Sequence, residues 1–355
     1  MKITIIGGGN IGTLMAAEMA YRGGEVTVYT SKPERWSREL TVFDADDREL
    51  LRGGIKEATD DIRRAVDGAD VIWVCTPSTM FRKVASELEP AVKPGQVIGA
   101  VPGSGGAEFA FAGCIQKGCT LIGLQRVHSI ARLKEYGSSV YQLGRKDELQ
   151  LGSIPADRAA GLCAEVSEMF DMPCVALPNY LCVTLTPSNP ILHTTRLYTL
   201  FRDWRPGSYY PRNFLFYEEW TDESSQALLD CDDEEQALCG VIPLELKDVK
   251  SLRLHYESPD AKAMTAKISG IRAFKGLTSP MKEEAGGWTP DLDSRYFTAD
   301  FSYGLKIIRD VAELFGSPAP MINKVWNWYL GIDPKAVSHE FCAGFTKESF
   351  TALYR

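Results

Sequence analysis

The sequence predicts an α/β fold: a doubly wound parallel sheet at the N-terminus, followed by an all-α C-terminal domain. Three observations carry this. Residues 1–30 read as strand, glycine-rich turn, helix, strand; short β-type apolar runs then alternate with helical patterns as far as about Leu185; beyond that point the patterns are long and helical. A chain of 355 residues is longer than one compact core of usual size and suits two domains, expected at 1–185 and 186–355.

The first element fixes the character of the N-terminal domain. Lys2-Ile3-Thr4-Ile5-Ile6 is a β-branched run suited to a buried parallel strand, and it leads directly into Gly7-Gly8-Gly9-Asn10-Ile11-Gly12, a G-x-G-x-x-G motif. Gly7 permits the tight turn, Gly9 lets backbone approach a pyrophosphate, and Gly12 lets a helix over residues 10–22 pack against the strand. Phosphate then sits on the unpaired amides at the helix start, where Asn10 and Ile11 lie. The motif alone is a weak signal, equally a plain glycine turn, but a strand precedes it, a helix follows, and Glu25-Val26-Thr27-Val28-Tyr29 supplies the next strand. Together they indicate a Rossmann-type dinucleotide domain.

The end of that second strand bears on which dinucleotide is taken. An NAD site usually places Asp or Glu there to accept from the ribose 2′-hydroxyl. This chain instead offers Thr30, Ser31, Lys32 and Arg35, donors suited to a 2′-phosphate, so NADP is expected in preference to NAD. An ordinary solvated polar turn is the competing reading.

Residues 32–61 read as a polar segment, with a short helix near 60–66. The run 69–75 is another buried strand, and Cys75, Thr76 and Pro77 at its carboxyl end are expected to line the cofactor. A helix to about Leu88, a strand over 96–101 and the turn Pro102-Gly103-Ser104-Gly105-Gly106 come next. Thr120–Leu124 reads as a strand ending in Gln125, Arg126 and His128, with Arg132 beyond, groups that suit a substrate carboxylate or simple surface solvation. Residues 140–144 and 174–177 are further strand candidates on either side of a helix over 155–170.

Composition bounds the rest. With 45% hydrophobic and 24% charged residues this is an ordinary globular composition, and no segment has the apolar length of a membrane span. No export signal is visible ahead of the first strand, so a cytoplasmic location is expected. Nine cysteines without a C-x-x-C fit reduced thiols better than a disulfide framework or structural zinc, and no metal site is expected. A formal charge of −8 argues against generic nucleic-acid binding. The sequence is compatible with a homodimer.

In the second half, Pro187-Ser188-Asn189-Pro190-Ile191-Leu192-His193 opens a helix expected to run through Phe201, with Pro190 in its first turn. Trp204, Tyr209, Tyr210, Phe214, Phe216, Tyr217 and Trp220 crowd the following segment and read as core or as one wall of a pocket. Asp230, Asp232, Asp233, Glu234 and Glu235 read as a solvated helix face. Residues 280–291 read as loop, and 295–305 lead into an amphipathic helix through Leu314. Taken by itself, His193 is as well explained as a packed core histidine, and Asp300 as a helix cap.

The motifs Gly7 to Gly12, Pro102-Gly103-x-x-Gly106, Asn189-Pro190-Ile191-Leu192-His193, Thr278-x-Pro280-Met281 and Arg295-Tyr296-x-Thr298-x-Asp300-x-x-x-Gly304-Leu305 together resemble the octopine/nopaline (opine) dehydrogenase family, over most of the chain. The resemblance implies reductive condensation of an α-keto acid of the pyruvate or 2-oxoglutarate type with the amino group of an amino acid, through an imine, using NADH or NADPH. It implies a catalytic His193 with Asp300 as its carboxylate partner, and places Arg295, Gln125, Arg126 and Asn189 on the substrate side. The chemistry of the residues agrees: an imidazole titrates near neutrality and can shuttle a proton, a carboxylate steadies it, and a guanidinium fork suits a keto-acid carboxylate. Many relatives carry proline after the histidine and an acidic residue before the aspartate, where this chain has Thr194 and Ala299. Two other readings stay open. One is a 2-keto/2-hydroxy acid reductase on a related two-domain scaffold, whose members commonly use a lysine absent here between Pro187 and Leu246; the other is a non-catalytic NADP-binding sensor.

Overall fold

The computed structural model describes residues 1–186, 188–336 and 338–355, without the side chains of Ser188 and Ala273. Pro187, expected to open the helical domain, therefore lies outside the described residues. The chain divides into two compact units, Met1–Thr184 with Ala352–Arg355, and Leu185–Thr351. The expected division left the last four residues with the helical domain. They pack instead with the first unit, where the Tyr354 hydroxyl donates to the buried Glu108 carboxylate at 2.9 Å.

The first unit is built on an eight-stranded sheet of β1 (Lys2–Ile6), β2 (Glu25–Tyr29), β5 (Glu57–Thr59), β6 (Val71–Val74), β7 (Val97–Ala100), β8 (Thr120–Leu124), β11 (Leu149–Ile154) and β12 (Cys174–Ala176). Its order is β12-β11-β8-β7-β6-β1-β2-β5. From β5 to β8 every pairing is parallel, and the order reverses between β1 and β6, the switch point at which ligands bind in doubly wound folds. β1, β6, β7 and β8 are buried nearly end to end, which is why they read from sequence as continuous apolar runs. β11 pairs antiparallel with β8, so the sheet is mixed toward that edge.

A second sheet was not expected. It runs β4-β3-β10-β9, with β3 (Glu39–Phe43), β4 (Glu49–Gly54), β9 (Ser129–Glu135) and β10 (Ser139–Arg145). Three strands, β3, β4 and β5, thus occupy the segment 32–61 read as polar, and the strand expected near 140–144 belongs to this sheet rather than to the parallel one. The helix Asn10–Tyr21 packs against strands of both sheets and is buried continuously from Gly12 to Met19. A Cβ on Gly53 of β4 would fall 2.2 Å from the Ala17 carbonyl oxygen, so the second sheet lies directly against the helix backbone. Glu18, 1% exposed on this helix, is satisfied by His128 at 2.8 Å, Gln142 at 2.9 Å and Arg145 at 3.2 Å. A buried charge requires such partners.

The second unit is helical, with the hairpin β13 (Met281–Glu284) and β14 (Gly287–Pro290) in the stretch read as loop. Its principal helices are Ser188–Phe201, Asp222–Val241, Ala261–Ser269, Lys306–Phe315 and Pro320–Ile332. The segment after Asp300 forms a π-helical turn, Phe301–Leu305, before the α-helix Lys306–Phe315. The acidic stretch on Asp222–Val241 is not a solvated face: Asp232 and Glu235 are fully buried. Asp232 accepts twice from the Leu252 amide, and burial pushes its carboxyl up to about 6; burial likewise pushes Glu235 well above the usual carboxylate range. Glu234 accepts from the Met321 and Ile322 amides at 2.6 and 2.9 Å, capping Pro320–Ile332. Among the described residues no helix is long and apolar enough to cross a membrane.

Candidate active site

In the first unit the glycine turn lies between β1 and the helix Asn10–Tyr21. Gly7 holds φ +109°, open to glycine at little cost. A Cβ on Gly12 would lie 1.9 Å from the Gly7 carbonyl oxygen, so only glycine allows this approach of helix to turn. Gly9 differs: its φ of −85° suits any residue, and a Cβ there would meet nothing within 4 Å. The helix start has no side-chain cap and no acidic residue in its first turn. An unobstructed glycine beside uncapped amides fits a pyrophosphate.

Three of the other expected cofactor residues border this turn. Gly7 abuts Cys75 and Thr76 at the end of β6, and Thr30 borders Gly8. Cys75 contacts the Met15 sulfur, and burial pushes its thiol up to about 12, which makes it a packing residue. Asn10 turns its side chain to the Leu133 amide at 2.9 Å and so ties the helix start to β9. Ser31, Lys32, Arg35 and Pro77 are exposed. Two residues missed by the sequence reading complete the surroundings. A Cβ on Gly8 would fall 2.7 Å from the Trp36 ring and 3.2 Å from the Tyr136 hydroxyl. The same hydroxyl meets Thr30 at 2.9 Å, and the Arg35 guanidinium lies 4.9 Å above the Tyr136 ring.

Gln125 and His128, expected near substrate, are buried at 7% and 0% exposure. Gln125 donates to the Cys182 carbonyl at 3.1 Å, and His128 bonds Glu18, so both hold the fold of the first unit together. Arg126 beside them is half-buried.

In the second unit, His193 and Asp300 come together although 107 positions separate them. His193 Nδ1 and Asp300 Oδ2 are 2.7 Å apart, and the two side chains are 7% and 17% exposed. His193 sits on the second turn of Ser188–Phe201; Asp300 lies between the short helix Arg295–Thr298 and the π-helical turn, and both belong to one compact unit. With Nδ1–H donated to the carboxylate, Nε2 accepts from the Tyr217 hydroxyl at 3.0 Å. The Tyr296 ring lies 4.5 Å from the imidazole and Phe216 meets it edge-on at 5.6 Å. Arg295 is exposed, its guanidinium 5.9 Å from the Tyr296 ring. Asn189, one helical turn before His193, is exposed. Tyr217 entered the sequence reading only as one of a crowd of aromatics. Its pairing with His193 has no local signal, because it depends on how the segment after the His193 helix folds back.

Comparison with known proteins extends this picture. The model of the alpha-helical domain of NAD/NADP octopine/nopaline dehydrogenases matches residues 176–332, and that of the N-terminus of NAD-dependent glycerol-3-phosphate dehydrogenases matches residues 2–103. Tauropine dehydrogenase of Arabella iricolor is 27% identical, over 99% of this chain and 95% of its own length. Octopine dehydrogenase of Mizuhopecten yessoensis is 26% identical, over 92% and 89%. The structure of an octopine dehydrogenase with NADH and L-arginine shares the fold with a TM-score of 0.83 at 23% identity, over 99% of this chain and 95% of the other. With a dinucleotide turn in one unit and a match to the alpha-helical domain of octopine/nopaline dehydrogenases in the other, the chain is similar over nearly its whole length to opine dehydrogenases, NAD(P)-dependent oxidoreductases acting on CH–NH groups.

Proposed function

We propose that this protein is an opine dehydrogenase that reductively condenses an α-keto acid of the pyruvate or 2-oxoglutarate type with the amino group of an amino acid, with NADPH preferred to NADH. The observation that carries the proposal is the 2.7 Å bond between His193 and Asp300 inside the segment matched by the family's helical domain.

The chemistry asks for a group that takes a proton and gives it back. A neutral His193 removes a proton from the substrate ammonium, which frees the amine to attack the keto carbon. The imidazolium, steadied by Asp300, returns that proton to the hydroxyl as it leaves as water, and a C=N bond forms. Bound NAD(P)H supplies the hydride that reduces the C=N carbon. The neutral secondary amine then takes a proton from solvent, so one proton is consumed per turnover at neutral pH. Arg295, exposed and forked, clamps the keto-acid carboxylate, while Lys32 and Arg35 hold the 2′-phosphate.

The test is oxidation of NADPH and NADH with pyruvate and with 2-oxoglutarate, with and without a panel of amino acids, the products weighed by mass spectrometry. The proposal expects oxidation that requires the amine and a product whose mass is that of keto acid plus amino acid, less one oxygen atom. Oxidation indifferent to the amine, giving the 2-hydroxy acid, overturns it.

A further inference from the structure

Both ring nitrogens of His193 are occupied within its own unit. Nδ1 is taken by Asp300 and Nε2 by Tyr217, one face carries Tyr296, an edge carries Phe216, and the residue is 6% exposed. A proton that moves between His193 and a substrate has to pass the group standing on Nε2. That group is a hydroxyl, able to donate and accept at once.

The position of this hydroxyl is built. The Tyr217 ring stacks on Phe274 at 4.2 Å and lies parallel to Trp220. The backbone around it is pinned by Arg196, which is 2% exposed, donates to the Phe216 carbonyl at 3.0 Å and to the Glu219 carbonyl at 2.7 Å, and lies near the Trp220 ring. Arg196 stands one turn beyond His193 on the same helix, so a single element sets both the imidazole and the segment that carries the tyrosine. Tyr296, whose ring lies 4.5 Å from the imidazole, is half-buried and next to the exposed Arg295. A line of hydrogen-bonding groups therefore runs Asp300, His193, Tyr217.

We infer that Tyr217 relays the proton between His193 and the reacting amine; this rests on the reading of His193 as the general base. As the ammonium gives up its proton to the Tyr217 oxygen, Tyr217 passes its own O–H proton to Nε2, so the tyrosine ends unchanged and His193 is protonated. The reverse transfer delivers the proton to the departing hydroxyl, which leaves as water.

The experiment compares the whole enzyme with Tyr217→Phe, with 3-fluorotyrosine placed at position 217, and with His193→Ala. Tyr217→Phe is expected to lower kcat about a hundredfold, the usual scale of a lost proton-transfer partner, with KM for the keto acid within about threefold. Fluorotyrosine keeps the ring and the hydroxyl but is the stronger acid. It should retain turnover while the alkaline limb of the kcat profile moves to lower pH. If Tyr217 is instead a plug that substrate displaces, Tyr217→Phe keeps or raises kcat and the fluorotyrosine profile superimposes on that of the wild type; either result overturns the relay. Should Tyr217→Phe fail to fold, the fluorotyrosine profile decides. An active His193→Ala enzyme would remove the underlying reading, whereas an inactive one beside an unaffected Tyr217→Phe removes the relay alone.

Discussion

Gly9 and Gly12 lie three residues apart in one turn, yet alanine should act on them in opposite ways. At Gly12 the added carbon would stand 1.9 Å from the Gly7 carbonyl oxygen, and real contacts of this kind essentially never fall below 3.0 Å. The difference, 3.0 minus 1.9, obliges the helix Asn10–Tyr21 to retreat by 1.1 Å from a backbone atom that cannot turn aside. That helix is held against two sheets, so the retreat disturbs both. Overpacking of this kind costs about 3 kcal/mol or more, and for a unit of this size Tm should fall by roughly 6–12 °C. At Gly9 the same carbon meets no protein atom within 4 Å and φ is already that of an ordinary residue, so the fold should lose about 1 kcal/mol or less as the helix cap changes. A pyrophosphate packed on Gly9 would meet the methyl group, and NADPH should bind at least about tenfold more weakly, or 1.4 kcal/mol. Thermal melts and fluorescence titration of NADPH measure both quantities. A Gly9→Ala protein that binds NADPH like the wild type refutes the placement of the phosphates, and a Gly12→Ala protein with unchanged Tm refutes the packing argument.

Three further perturbations test separate parts of the structure. Asp300→Asn keeps the shape but presents an amide to Nδ1, which favours the wrong tautomer and withdraws the charge that steadies the imidazolium; kcat should fall by about 10²–10⁴, and steady-state rates within threefold of the wild type would contradict the proposed role. Replacing Lys32 and Arg35 together by alanine should raise KM for NADPH at least about tenfold while KM for NADH moves less than about twofold, on the usual worth of charge-assisted bonds; equal effects would remove the 2′-phosphate assignment. Burial pushes the Glu108 carboxyl up to about 7 from its ordinary 4.5, against the opposing bonds from Thr184 and Tyr354, so between those values the folded protein keeps a proton that the unfolded chain has released. Its stabilising contribution is complete below 4.5 and is lost as pH rises through 7, a change of at most about 3 kcal/mol. Melts of wild type and Glu108→Gln should therefore diverge in favour of the variant from about pH 5 to pH 8, and parallel curves would show that Glu108 does not hold the proton.

How much of this was readable beforehand depended on whether a residue's environment is set by its neighbours in sequence. β1, β6, β7 and β8 are buried along their length and announce themselves as apolar runs. β3 buries only Leu40 and Val42 between the less buried Glu39, Thr41 and Phe43, and β4 is exposed at most positions, so the segment looked polar although it folds as sheet. Asp232 and Glu235 were read as solvated because helix charges usually are; only the packing of the neighbouring helices reveals that they are inside. The motif-bearing His193 and Asp300 were legible through their resemblance to a family, and the structure brings them to 2.7 Å. Gln125 and His128 carried the same donor chemistry as a substrate site, but the direction of their side chains follows from β8 and the helix below it, and they satisfy buried partners instead. Tyr136 and Tyr217 had no signal, since each reaches its partner through a chain reversal that no local pattern encodes.

Because Ala352–Arg355 close the first unit, the helical unit is spliced into the nucleotide-binding chain at both of its ends. On the ribosome, residues 1–184 emerge first yet wait for their closing piece until the whole helical unit has been made, and during that interval Glu108 lacks the phenol of Tyr354. Vectorial folding, in which the leading domain is complete before the next begins, is therefore not open to this nascent chain in its simple form. A protein cut short before Ala352 should carry its defect in the nucleotide-binding half, at a distance of some hundreds of residues from the dinucleotide turn that opens it.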